Sequence, residues 1–376
     1  MTALLPDVDP DGLLEYSVVY TDRALNHMSR SFQQTMTDLS RTLKTVYGAD
    51  AAVIVPGSGT FGMEAVARQF ATGKKTLVIR NGWFSYRWTQ IFEMGSIPAE
   101  STVLKARQTG NESTSPFAPA PLSEVLETIE REQPDLVFAP HVETSAGLML
   151  PDDYLRTVAD AVHAQGGLFV LDCIASGTVW VDMADVGIDV LVSAPQKGWS
   201  GSPCCGLVML SERARATLAE TQSTSFAADL KKWLEIMEAY EAGGHAYHAT
   251  MPTDGLRVLR DVMAETEAIG FAEVKAAQLE LGQRIRALLA QHGIQSVAAP
   301  GFEAPGVVVS YTNDDDVKSG RKFAEAGMQI AAGVPLMCDE PADFRTFRIG
   351  LFGLDKLKDV DQAVARFETA LESVGL

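Results

Sequence analysis

Two charged residues stand where apolar chain runs out. Asp172 closes the run "GLFVLD", directly after four apolar residues, and Lys197 lies in "SAPQKG", just past the run "DVLVSA". A carboxylate at a buried strand end must be paired or put to work, because an isolated buried charge is expensive. The lysine on its own reads more readily as a solvated loop residue. A third stretch shifts the balance. "VPGSGTFGMEAV" carries a strand through a glycine turn into a helix. The first N–H groups of such a helix have no internal partner, and the helix dipole favours an anion beside them. Ser58, Gly59 and Thr60 sit at that turn, and the two hydroxyls add donors. One phosphate group fits there.

An amine that can form a Schiff base, a carboxylate that can keep a pyridine nitrogen protonated, and an anion cradle are what pyridoxal 5′-phosphate requires. Other polar residues reach the same rim. "FAPHVETSAG" brings His141, Glu143, Thr144 and Ser145 past a strand end, Gln196 precedes Lys197, and "RNGWFSYRW" offers aromatic rings for stacking. The glycines admit a different chemistry. Gly57, Gly59 and Gly62 form G-x-G-x-x-G between a strand and a helix, the pattern of dinucleotide binding. The acidic residue usual about 20 positions on is missing. The next strand ends instead in Arg80 and Asn81, and an arginine there could accept an NADP phosphate. An NADP-dependent oxidoreductase therefore stands as a remote alternative.

These groups need a scaffold. Short apolar runs at 51–55, 76–80, 135–139, 167–172, 189–194 and 206–210 read as strands, several apolar on both faces as buried parallel strands are. Helical patterning lies between many of them, clearest in "PLSEVLETIEREQ" and "PDDYLRTVADAVHAQGG", and earlier in "SRSFQQTMTDLSRTLKTVYG", which Gly48 ends. This predicts an α/β fold with a mostly parallel, doubly wound sheet, whose ligands bind beyond the carboxyl ends of the strands. From about residue 256 a long helical stretch leads to "GVVVSYTN", "RKFAEAGMQI" and "TFRIGLFG", the pattern of a smaller α+β unit. The expected division is an arm at 1–20, a large domain at 21–264 and a small domain at 265–376.

The net charge of −18 argues against general nucleic-acid binding and against anionic membrane surfaces, without excluding a small anion held by local donors. Four cysteines with no metal spacing point to a reduced, cytoplasmic protein and to no metal site. No apolar run suggests a membrane span, and the first residues lack the pattern of a signal peptide.

From about residue 45 onward the sequence resembles the class V aminotransferases of the fold-type I pyridoxal-phosphate enzymes, within them the alanine–glyoxylate and serine–pyruvate group. The pieces that carry the resemblance are "PGSGTFGMEA", "RNGWFSYRW", "PHVETSAG", "LDCIASG", "SAPQKG", "YHATMP" and "FRIGLFG", in that order. The resemblance implies that Lys197 is the Schiff-base lysine and that Asp172 faces the pyridine nitrogen. Ser58, Gly59 and Thr60 would hold the phosphate. Phe84 would stack on the ring, unless a one-residue shift gives that place to Trp83. Thr144 and Gln196 would touch the ring edge or phosphate, and Ile174 would pack beneath the ring. The family's active site lies at a dimer interface, so Tyr247 and Thr250 would serve the neighbouring subunit's phosphate in a homodimer. Arg348 would clamp the substrate carboxylate with a bidentate guanidinium, which lysine cannot mimic. Two stretches depart from the family pattern: the usual Pro-Gly-Pro region reads "EYSVVYTDRALNHMS", and the loop after the lysine reads Pro203-Cys204-Cys205-Gly206.

The implied activity moves an amino group from a small amino acid to a 2-oxo acid such as glyoxylate or pyruvate, in two half-reactions with ping-pong kinetics. The alternative within the same cofactor class is a lyase or a cysteine desulfurase. A desulfurase needs an exposed, activated thiol, and Cys338 in "GVPLMCDEPADF" is the candidate.

Overall fold

The computed structural model describes residues 7–376, so the first six residues of the expected arm lie outside the described residues. From Asp7 to Ser29 the chain makes turns and bends without helix or strand. Helix α1 (Arg30–Tyr47) starts where the Ser29 hydroxyl accepts the Phe32 N–H at 3.1 Å, and ends at Gly48 with φ 61°. Its buried stripe is Phe32, Met36, Leu39 and Leu43, at the helical spacing the sequence shows.

Seven strands form the main sheet: β1 (Ala51–Pro56), β2 (Lys75–Arg80), β3 (Glu100–Lys105), β4 (Leu136–Pro140), β5 (Leu168–Asp172), β6 (Val190–Ser193) and β7 (Cys205–Leu210). Their order across the sheet is β1-β7-β6-β5-β4-β2-β3. Neighbours from β6 through to β3 run parallel, and β7 alone is antiparallel to both of its neighbours. Strands β4 to β7 are buried along their whole length, which is why they read as continuous apolar runs. Strand β3 has no such run. It is an edge strand, exposed at Glu100 and Ser101, and its mixed "ESTVLK" hides it from a hydrophobic pattern.

The expected domain boundary at residue 265 falls inside the helix Thr253–Ile269. Gly270, at φ 111°, ends that helix and starts the next, Phe271–Gln291. Beyond it lies a second, antiparallel sheet of β8 (Val307–Tyr311), β9 (Ala331–Ala332) and β10 (Thr346–Gly350), with β10 central. Arg348 is the middle residue of β10, opposite Val309 on one side and Ala331 on the other.

The architecture brings five chain segments to one rim. Pro140 of β4 and Val192 of β6 both pair with Asp172 of β5, so the chain leaving β4 towards Glu143 and the chain leaving β6 towards Lys197 flank the aspartate. Strand β1 delivers the Gly57–Thr60 turn to the same edge, and β2 delivers "NGWF".

Candidate active site

Lys197 lies on a closed turn. The Ser200 N–H donates to the Lys197 carbonyl at 3.0 Å, the Gly201 N–H to the Pro195 carbonyl at 2.9 Å, and the Ser200 hydroxyl accepts the Leu354 N–H at 3.0 Å. The lysine amine stands 5.8 Å from the centre of the Phe84 ring and 5.8 Å from that of Phe352. The Arg348 guanidinium lies 5.5 Å from the Phe84 centre and the Arg87 guanidinium 5.4 Å. Three cations thus gather about one aromatic ring, an arrangement the ring quadrupole favours. None of the three forms an ion pair with an acid among the described residues. Trp83 turns elsewhere, its ring 5.8 Å from Tyr86, so Phe84 is the ring beside the lysine.

What fixes Phe84 is a carboxylate. Helix α3 (Trp83–Gly95) begins at a glycine, which has no side chain to cap it. Glu143, with no exposed surface, caps it from another strand end. One oxygen accepts the Phe84 N–H at 3.2 Å, the Ser145 N–H at 3.0 Å and the Ser145 hydroxyl at 2.7 Å. The other accepts the Ser85 N–H at 2.9 Å and the Ser85 hydroxyl at 2.7 Å. Ser145 Oγ in turn accepts the Trp83 N–H at 2.9 Å. A negative charge on these orphan donors also suits the helix dipole. The packing demands a bare backbone at Gly82, where a Cβ would lie 2.1 Å from Ser145 Oγ and 2.8 Å from Glu143 Cδ.

Burial sets the protonation chemistry. Asp172 is 7 % exposed, and burial pushes its pKa up to about 6, against the pull of the Ile174 N–H, Lys197 and Arg87. One of its oxygens, Oδ1, accepts that N–H at 2.9 Å, while Oδ2 receives no hydrogen bond among the described residues. Lys197 is lowered, first by burial and then by Arg348 and Arg87, with Asp172 and Glu143 opposing. Arg348 is also lowered by burial, and its Nε donates to the Ala332 carbonyl at 2.8 Å, leaving the rest of the fork free of protein hydrogen bonds among the described residues.

The other residues expected from sequence divide into two groups. Ile174 packs its Cδ1 against Gly59, where a Cβ would approach to 2.7 Å. Ser58 precedes helix α2 (Gly59–Phe70) without capping it by its side chain, so the first donors of α2 stay open. Thr60 Oγ1 accepts from Arg87 at 3.0 Å. Thr144 is buried and its hydroxyl has no partner among the described residues. Gln196 is exposed beside Lys197, on a cavity of about 410 Å³ that Phe352 and Ser200 also line. Tyr247 and Thr250 lie apart. Their hydroxyls are 3.1 Å from each other, Tyr247 is 53 % exposed, and its ring neighbours His27 at 5.5 Å. Residues with a part in this site that the sequence alone did not single out are Arg87, Phe352 and, as the cap of α3, Glu143.

Two alternatives lose their footing. The G-x-G-x-x-G reading needs Arg80 free for a nucleotide phosphate. Arg80 is only 8 % exposed, donates to Thr89 Oγ1 at 2.8 Å and to the Met337 carbonyl at 3.3 Å, and lies 4.6 Å from the Tyr86 ring centre. Gly59 is explained by the close approach of Ile174 instead. A desulfurase needs a reactive thiol, but Cys338 is 4 % exposed and burial pushes its pKa up to about 12.

The donor set suits a phosphorylated pyridine aldehyde. It has an uncapped helix N-terminus for the phosphate, a carboxylate oxygen without a donor for the ring nitrogen, and an orphaned buried hydroxyl at Thr144. Comparison with known proteins leads to the same chemistry. The chain is 28 % identical over 369 residues to a 2-aminoethylphosphonate–pyruvate transaminase of Burkholderia ambifaria, spanning 94 % of this chain and 90 % of that one. It is 26 % identical over 361 residues to an alanine–glyoxylate aminotransferase of Oryctolagus cuniculus, spanning 93 % and 87 %. Among solved structures, the alanine–glyoxylate aminotransferase of Nostoc sp. superposes with a TM-score of 0.78 over 93 % of this chain and 89 % of that one; at 20 % identity this likeness concerns the fold. The family model described as aminotransferase class-V matches residues 11–342. A chain that carries this family's sequence over most of its length, on this fold, belongs to the class-V aminotransferases and is a pyridoxal-phosphate-dependent aminotransferase.

Proposed function

We propose that the chain takes an amino group from a small amino acid and passes it to a 2-oxo acid such as glyoxylate or pyruvate. The observation that carries this reading is the gathering of Lys197, Arg348 and Phe84 beside Asp172, with 5.8 Å and 5.5 Å from the two cations to one ring. Pyridoxal phosphate, when bound, supplies a ring that accepts the electron pair left at the substrate Cα. The free prongs of Arg348 bind the substrate carboxylate and fix which bond at Cα faces the lysine. Lys197 Nζ takes the Cα proton, and its lowered pKa raises the fraction of neutral amine available for that step. Asp172, ionised at neutral pH, offers Oδ2 to the pyridine N–H and holds the proton there. Phe84 and Phe352 keep water from the lysine. Ser58, Gly59 and Thr60 hold the phosphate, Ile174 packs beneath the ring, and Thr144 and Gln196 meet the ring edge or phosphate.

The same reading makes the active enzyme a homodimer. Tyr247 and Thr250 are exposed and their hydroxyls lie 3.1 Å apart, which suits donors that serve a second subunit. Among the described residues the four cysteines are free, which suits a reduced cytoplasmic protein, and no helix is long and apolar enough to cross a membrane. The test is a panel of amino donors mixed with the cofactor-loaded protein and read by loss of the cofactor's visible absorbance. Alanine and serine bleach it, and glyoxylate or pyruvate restores it. A panel in which no small amino acid bleaches the band, while 2-aminoethylphosphonate does, would overturn the donor assignment.

A further inference from the structure

Arg87 belongs to no expected role, yet it ties the anion cradle to the aromatic wall. We propose that Arg87 completes the phosphate site and lets the protein distinguish pyridoxal phosphate from unphosphorylated pyridoxal. This rests on the assignment of Ser58–Thr60 as the phosphate cradle.

Arg87 is half-buried and forms no ion pair with an acid among the described residues. Its Nη1 donates to Thr60 Oγ1 at 3.0 Å. Because that oxygen is already an acceptor, the Thr60 hydroxyl proton is directed elsewhere, towards a ligand at the α2 N-terminus. The open N–H groups of α2 supply only a partial positive charge, whereas a phosphate carries close to two negative charges. A guanidinium held against Thr60 supplies a full charge and a planar fork suited to phosphate oxygens.

The arginine is also presented rigidly. It stands three residues after Phe84, on the same face of α3, and its guanidinium lies 5.4 Å from that ring's centre. The turn that carries both is pinned by Glu143 and Ser145. The cap therefore sets the stacking ring and the phosphate clamp together, as one unit. Arg348 lies by the same ring but on the second sheet, so the two guanidiniums hold different anions: Arg348 the substrate's, Arg87 the cofactor's.

The experiment compares apoprotein affinities for pyridoxal phosphate and for pyridoxal, read by quenching of tryptophan fluorescence, in wild type, Arg87→Gln and Arg87→Lys. Wild type prefers the phosphorylated form. Arg87→Gln loses about ten- to a hundredfold of that preference, the range of a charge-assisted hydrogen bond, while pyridoxal affinity changes little. Arg87→Lys keeps the charge without the fork and falls between the two. It also serves as the working variant if Arg87→Gln fails to give the wild-type circular dichroism. The same preference in all three proteins, with a raised KM for the amino donor in the variants, would overturn the proposal and make Arg87 a substrate residue. Failure of the underlying cradle assignment is separate: wild type itself would then show no preference for pyridoxal phosphate.

Discussion

At the carboxyl edge of the main sheet, Glu143 is fully buried with five donors around its two oxygens, whereas Tyr247 and Thr250, expected to serve the same cofactor, are exposed, their hydroxyls 3.1 Å from each other and the Tyr247 ring beside His27. The first region is finished within one chain. Its strands, its cap and its turn leave open, among the described residues, atoms a ligand would use: the Asp172 Oδ2, the Thr144 hydroxyl, the Lys197 amine, the Arg348 fork and the first donors of α2. The second region has two exposed hydroxyls that pair with each other. The difference teaches that burial with satisfied partners marks the scaffold of a site, while exposed hydroxyls gain a part in it only if a second subunit covers them, as the proposed homodimer requires.

Lys197→Ala gives the largest effect on the finished region. On the proposed mechanism it removes the group that moves the Cα proton, so turnover should fall by about a thousandfold or more. Steady-state kinetics on the cofactor-loaded variant check this. Because the amine hydrogen-bonds to no group among the described residues, thermal stability should change little. A variant that keeps full turnover would remove Lys197 from the chemistry and leave the contrast between the regions without meaning.

Glu143→Leu comes next, and it acts on stability. Filling the space with an apolar side chain leaves the Phe84, Ser85 and Ser145 N–H groups buried without acceptors. Each unsatisfied donor costs about 1–3 kcal/mol, so the loss exceeds about 3 kcal/mol and is read from denaturant midpoints. Glu143→Gln keeps one acceptor oxygen and loses less. If Leu were tolerated, the cap would be an accident of packing rather than the support of Phe84.

How much of this contrast could be read from the letters follows from the distance over which each interaction acts. The strands with continuous apolar runs were legible because burial on both faces writes itself into consecutive residues. β3 was not, since it is exposed at Glu100 and Ser101 and mixes polar with apolar residues, unlike the buried edge strand β1. Asp172 stood out because its charge ends an apolar strand. Lys197 carried no local signal and was legible only through the order of motifs around it. Glu143 was visible on the rim, but its cap crosses 58 and 59 residues of chain, and no local pattern encodes which helix a carboxylate will meet. Arg87 had one weak signal, its three-residue spacing from Phe84 on a helix. Phe352 had none beyond following the Arg348 strand, and its place beside Lys197 depends on how the second sheet meets the first.

Asp172→Asn sharpens the comparison through pH. The folded-state pKa is raised from 3.8 to about 6, so the folded apoprotein favours the protonated acid. The stability this group contributes is therefore fully present below about 3.8 and is lost as pH rises through about 6. Asparagine is free of that loss. The variant apoprotein should be more stable than wild type by about 3 kcal/mol at pH 8, with the advantage shrinking as pH falls below 6 and vanishing near 3.8. Thermal melts across that range check it. Cofactor affinity moves the other way, because asparagine cannot hold a proton on the ring nitrogen. An unfinished acceptor is thus a liability in the empty site and an asset in the filled one.

The smallest effect tests the exposed pair. In Tyr247→Phe and Thr250→Val each change removes a hydroxyl that sits largely in solvent, so apoprotein stability should move by no more than about 0.5 kcal/mol. If the hydroxyls donate to a phosphate held by a second subunit, each loss weakens cofactor binding by about fivefold, the worth of one hydrogen bond. The weakening has a signature that no intrachain contact would produce. In wild type, cofactor affinity should fall on dilution as dimers separate, and the variants should bind as diluted wild type does. Equilibrium fluorescence at two protein concentrations, beside sedimentation at the same concentrations, reads both effects. Affinity independent of concentration and of both hydroxyls would leave Tyr247 and Thr250 as ordinary surface residues, and the cofactor site would be complete in a single chain.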